Sequence, residues 1–131
     1  MINFFSKYKF IFYISNFILI VLYLFPGSLL GCFLYNDCSL QPQLTRDFLI
    51  SSNHFYSFFI LSIIGYFTYK DLNKFNFLSI YLILISIILE ILHIFIPTRN
   101  FEFSDLFGNL FGVLMVLLIN LFYKKYENFK N

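Results

Sequence analysis

Between residues 88 and 112 the apolar run ILEILHIFIP gives way to TRNFEFSDLFGNLFG, and Glu90, His93, Arg99, Asp105 and Asn109 fall close together. A carboxylate and an imidazole one helical turn apart can exchange a proton near neutral pH. The same i, i+3 spacing supplies metal ligands in carboxylate-bridged helical bundles. Arg99 is always charged and offers a planar fork of donors to a carboxylate or phosphate. The chain has one other histidine, His54, at the start of an earlier apolar run.

Three chemistries are open to these six residues. In the first they form a polar network: Arg99 pairs with Glu90 or Asp105, His54, His93 and Asn109 satisfy what remains, and Arg99 can also hold an anionic lipid headgroup. In the second they form an acid/base site acting on a lipid-linked envelope precursor. No G-x-S-x-G and no serine with a nucleophile signature accompanies them, so whether the chain is an enzyme stays open. In the third, Glu90 and His93 ligate a metal, completed by His54 and Asp105. There is only one E-x-x-H and no H-E-x-x-H, and the sequence alone assigns no metal and no cofactor.

The composition says what surrounds them. Of 131 residues 60% are hydrophobic and only 12% charged, against about 25% in ordinary soluble domains, which points to a membrane protein whose first partner is the bilayer. A net charge of +2 without a basic stripe excludes a nucleic-acid partner. The abundance of Phe, Ile, Asn and Lys reads as codon bias and is given no functional weight.

Four apolar runs carry the chain across: about Phe10 to Phe25, His54 to Tyr69, Phe75 to Pro97 and Leu106 to Tyr123. The shorter two reach only about 24 Å at 1.5 Å per residue and need flanking residues or a thinned bilayer. Backbone in lipid must satisfy its own hydrogen bonds and no alternating pattern is present, so the spans are helices. The expected fold is therefore all-α: one membrane domain over residues 1–131, a bundle of four transmembrane helices with an extended outer loop after the first. Lys7, Lys9, Lys70, Lys74, Lys124, Lys125 and Lys130 fall on one side, leaving Arg46 and Arg99 on the other. Both termini are thus expected in the cytoplasm of a multi-pass plasma-membrane protein. Lys7 and Lys9 before an apolar stretch, with Leu29 to Cys32 as a lipoprotein-like box, resemble a signal peptide, but Leu30 fits poorly and Pro26-Gly27-Ser28 intervenes, so the segment is read as a retained helix.

At about 100° per residue, Ser79, Ser86, Glu90, His93 and Pro97 project within a wedge about 60° wide. Charge in the bilayer centre costs about 2.5 to 3.5 kcal/mol, so this wedge should turn away from lipid. On the fourth run Asp105, Gly108, Asn109 and Gly112 share a face, with Gly108 and Gly112 as a helix-packing GxxxG pair and Ser104-Asp105 as plausible N-cap chemistry. His54, Ser57, Leu61 and Gly65 share another, with Gly65 again a packing position. Orientation then gathers His54, Glu90, His93, Arg99, Asp105 and Asn109 near one outer rim.

With H-F at His54-Phe55, E-x-x-H at Glu90 to His93, P-x-R at Pro97 to Arg99 and D-x-x-x-N-x-x-G at Asp105 to Gly112, residues 50 to about 120 resemble the VanZ-like family of small bacterial membrane proteins. Family members commonly carry glutamine where His93 stands and Asp-Lys where Ser51 and Ser52 stand. The resemblance implies architecture and a bacterial cell-envelope setting, since the family takes its name from an accessory protein linked to reduced sensitivity to teicoplanin. It implies no defined biochemical activity. The functional expectation is accordingly a polar cluster that binds or organises an envelope lipid or a protein partner, with acid/base chemistry on a lipid-linked precursor as the alternative.

The connection from Gly27 to Asn53 holds Cys32 and Cys38 on the expected oxidising side, where a disulfide and two free thiols both remain open. Its Leu29, Leu30, Phe33 and Leu34 should rest on the membrane surface or cap the bundle.

Overall fold

A computed structural model describes residues 4–69 and 74–130, with side chains from Lys9 onward. Lys70, and the side chain of Lys7, lie outside the described residues. Among the described residues the fold is all-helical: α1 (Phe4–Leu24), α2 (Leu29–Tyr35), α3 (Ser52–Tyr69), α4 (Phe75–Leu92), which tightens into a 3₁₀ turn over His93–Phe95, and α5 (Phe103–Lys130). Among the described residues two stretches, Phe75–Phe95 and Phe103–Lys130, are long and apolar enough to cross a membrane; α1 with α2 adds a third if that bent pair is one span. The large side chains facing outward are mostly apolar, among them Phe17, Phe77, Ile80, Leu84, Ile88, Ile91, Phe111, Leu118 and Phe122. A water-soluble protein rarely exposes such a continuous surface.

Helix α3 is not among those apolar stretches, and it is the central helix. It packs most extensively on α5 and also touches α1 and α4. The core is Phe12, Leu19 and Tyr23 from α1, Phe58 and Leu61 from α3, Leu78, Leu82 and Leu89 from α4, and Val113 from α5. Close approach of α3 to α5 depends on two glycines. A Cβ on Gly112 would lie 2.5 Å from the carbonyl oxygen of Phe55, and one on Gly108 would lie 2.7 Å from that of Ser51. Two turns farther along α3 from Phe58, Gly65 makes room for Phe12 of α1 and Leu78 of α4.

The connection after α1 departs from the extended loop expected. Leu29–Tyr35 is helical, opened by the Ser28 hydroxyl, which accepts from the N–H of Gly31 at 3.0 Å, and closed by Asn36 in the left-handed region. Seven residues are too few to show a helical period in sequence. The chain bends 85° between α1 and α2, and Phe33, Leu34 and Tyr35 face outward, an arrangement suited to a membrane surface. Cys32 and Cys38 are bridged, which ties α2 to the following turn. There Ser39 donates from its backbone N–H and hydroxyl to Asp37, holding that carboxyl below its usual range. The remainder is pinned to the start of α3: Asp47 accepts from the N–H of Ser52, the Ser52 hydroxyl donates to the carbonyl of Thr45, and Asn53 bonds to Pro42 and Leu44.

Two helix ends also differ from expectation. Helix α4 stops at Leu92 rather than Pro97, because proline disfavours helix at the preceding residue, and Ile96 is extended. Helix α5 begins at Phe103, so Ser104 and Asp105 sit inside its first turn instead of capping it, and it continues to Lys130 past the expected Tyr123.

Replacing Gly112 by alanine should destabilise the fold by about 1–3 kcal/mol through overpacking, with Gly108→Ala smaller. Thermal unfolding in detergent measures both, and an unchanged midpoint for Gly112→Ala contradicts the packing described.

Candidate functional site

Four helices bring their polar side chains to one end of the molecule. Tyr23 comes from the last turn of α1, His54 from the first turn of α3, Glu90 and His93 from the end of α4, and Asp105 and Asn109 from the first turns of α5. Glu90 and Asn109 are 0% exposed and His93 1%, whereas Ile88 and Ile91, beside Glu90 in sequence, face outward. Of the wedge read from α4, Ser86, Glu90 and His93 are buried, Ser79 is half-buried and Pro97 is exposed.

Asn109 is the junction. Its Oδ1 accepts from the Tyr23 hydroxyl at 2.7 Å and lies 3.1 Å from His54 Nδ1, while its Nδ2 donates to the carbonyl of Ser86 at 3.2 Å. A carbonyl only accepts, so this last bond fixes which way the amide faces. His54 must then carry its proton on Nδ1, and in the neutral ring Nε2 presents a bare lone pair to Asp105 Oδ2 at 3.4 Å.

The same logic applies to His93. Its Nε2 lies 3.1 Å from the carbonyl of Tyr23 and therefore donates. Nδ1 then faces Glu90 Oε1 at 3.4 Å, an oxygen that also accepts from the N–H of Glu102 at 3.1 Å. Each histidine thus turns an unprotonated nitrogen toward a carboxylate, a pairing that is attractive only when a positive charge is shared between the two. The other oxygen of Glu90, Oε2, is buried without a hydrogen-bond partner among the described residues and lies 3.8 Å from His54 Nδ1. Tyr23 packs between the histidines, stacked on His93 and edge-on to His54.

Arg99 does something else. In place of the expected pair with Glu90 or Asp105, its Nε donates to the carbonyl of Phe25 at 3.0 Å and its Nη2 to those of Leu22 and Gly27 at 3.1 and 2.7 Å. Among the described residues it makes no ion pair with either acid. The carbonyls at the end of α1 have no helical partners and carry the negative end of the helix dipole, so a guanidinium caps them well. Arg99 is aimed there by a turn over residues 96–99, in which the N–H of Arg99 donates to the carbonyl of Ile96. Pro97 fits the second place of that turn. Thr98 occupies the third at φ 68°, a position that glycine normally fills, and so stores strain.

Tyr23 is the member that sequence reading missed, since a tyrosine at the end of an apolar run is the ordinary signature of a membrane interface. The backbone N–H of Glu102 carries no side-chain signal at all.

An open cavity of about 500 Å³ runs between α1 and α3 up to this cluster. Its walls are largely apolar, with Ile18, Leu22, Ile60 and Ile64 among them, α2 and residues 41–44 roof it, and His54 and Arg99 stand at its polar end. Compared with known protein families, curated proteins and solved structures, the chain matches none.

Asn109→Leu should cost about 2–4 kcal/mol, because it strands the Tyr23 hydroxyl and the Nδ1–H of His54; denaturant titration in detergent reads it. Thr98→Gly should act the opposite way, raising stability by about 1 kcal/mol if the turn stores strain.

Proposed function

We propose that this chain is a four-span protein of the bacterial plasma membrane, with both ends in the cytoplasm, whose outer-rim cluster binds the anionic headgroup of an envelope lipid while the lipid's tail lies between α1 and α3. The observation that carries this reading is the cavity. It is apolar along two helices and ends at an imidazole and a guanidinium, which matches a molecule with a hydrocarbon tail and a charged head.

Other features support the same picture. Helix α3 is 18 residues long, about 27 Å, close to the hydrocarbon thickness, and keeps its polar residues toward its neighbours. The cysteine bridge suits an oxidising outer compartment, and the described lysines Lys9, Lys74, Lys124, Lys125 and Lys130 belong to the opposite ends of the helices. The motif order over residues 50 to 120 resembles VanZ-like proteins, which favours an envelope setting.

A second reading, acid/base chemistry on a lipid-linked precursor, is favoured by one specific observation: two histidine–carboxylate pairs each need a shared positive charge, and a shared proton is one that can be transferred.

Protein purified in mild detergent should retain lipid detectable by native mass spectrometry, and Ile60→Trp, which narrows the cavity about 9 Å along α3 from His54, should reduce it about tenfold at unchanged melting temperature. Equal lipid in both proteins sinks the binding reading. Reporter fusions should place residues 40–45 outside and the C-terminus inside; the reverse pattern sinks the orientation. For the alternative, Glu90→Gln that accumulates normally yet abolishes an envelope phenotype favours chemistry, whereas lost accumulation assigns Glu90 to the scaffold.

A further inference from the structure

We propose that His54, through Nε2, together with Asp105 and a carboxylate oxygen of Glu90 binds one divalent transition-metal ion of the zinc, manganese or iron(II) class. This goes beyond lipid binding and does not rest on it. One donor atom from each of these three residues lies within 4.8 Å of the other two. Ligands held about 2.0–2.1 Å from an ion in tetrahedral array stand about 3.3–3.4 Å apart, and His54 Nε2 lies 3.4 Å from Asp105 Oδ2.

The hydrogen bonds around His54 argue for an ion over a simple ion pair. A ligating histidine commonly donates its second N–H to a fixed acceptor, which sets the tautomer and aims the lone pair. Asn109 Oδ1 is that acceptor here, and the Ser86 carbonyl fixes Asn109 in turn. A proton between His54 Nε2 and Asp105 would satisfy those two atoms only. Glu90 Oε2 would remain buried without a donor. A divalent ion satisfies all three at once, and the two carboxylates offset its charge in a setting where isolated carboxylates are costly.

The ligand set narrows the metal. One imidazole nitrogen and two carboxylate oxygens suit borderline or hard ions, and the thiolates that soft ions prefer are absent from the cluster. Three protein ligands leave coordination positions open, as catalytic metal sites do and closed structural sites do not. Asp105, the one ligand with a partly exposed side chain at 20%, marks the side from which ion and water enter.

The test uses the full chain in detergent, stripped with a chelator and titrated with Zn²⁺ and Mn²⁺ by calorimetry. One equivalent should bind, and His54→Ala or Asp105→Asn should weaken binding roughly 100-fold or more. Because those variants can misfold, wild-type protein carrying ¹⁵N-histidine supplies an independent reading. Zn²⁺ should shift the Nε2 resonance of His54 and leave its Nδ1 protonated. No stoichiometric binding, affinity unchanged in both variants, or a shift confined to His93 each overturns the site.

Discussion

A polar side chain sunk between apolar helices is costly to the extent that its hydrogen-bonding atoms lack partners, and is held best where they find them. Asn109 meets this condition by drawing one partner from each of the other long helices: Tyr23 of α1, His54 of α3 and Ser86 of α4. It can do so only because α5 lies so close to α3, and that approach exists because residues 108 and 112 have no side chain to hold the backbones apart. The glycines set the distance and the amide sets the register. From those two facts follow the protonation pattern of His54, the direction of its second nitrogen and the depth at which Glu90 is held.

The loops at this end serve the same geometry. The turn over residues 96–99 keeps a threonine in a backbone conformation it disfavours, yet Arg99 then reaches three carbonyls at the end of α1. Local strain is offset by bonds between a charged donor and orphan acceptors, each stronger than a neutral hydrogen bond. The result fastens α1 to the α4–α5 connection just where the α1–α3 cavity opens. The bridged and capped α2 segment closes that cavity from above, so its surroundings are built from pieces distant in sequence.

How much of this was legible in the chain depended on the kind of force involved. The burial of Ser86, Glu90 and His93 on one face could be read from spacing alone, because the cost of charge in lipid leaves a helical period in the sequence. The GxxxG pair was readable for the same reason, since close packing selects small residues at fixed spacing. The partner of Arg99 was not. An arginine near two acids looks like an ion pair, and only the fold reveals that the end of α1 lies nearer with carbonyls that no sequence advertises. Tyr23 was hidden because interfacial tyrosines are common, and α2 because a seven-residue helix leaves too short a trace. The family resemblance offered motifs but no partners for them.

The commitment of Arg99 to α1 bears on everything the cluster can do. Had it paired with Glu90 or Asp105, the acids would carry a permanent counter-charge and the site would be electrostatically settled. Instead two carboxylates and two imidazoles are gathered where the nearest fixed cation is occupied with backbone oxygens. Their positive charge has to come from something exchangeable: protons on the histidines, or a metal ion beside His54. Exchangeable charge is what separates a reactive or ligand-binding site from a static ion pair. The fold thus commits the guanidinium beside the cluster to the end of α1, and leaves the buried acids dependent on what the surroundings supply.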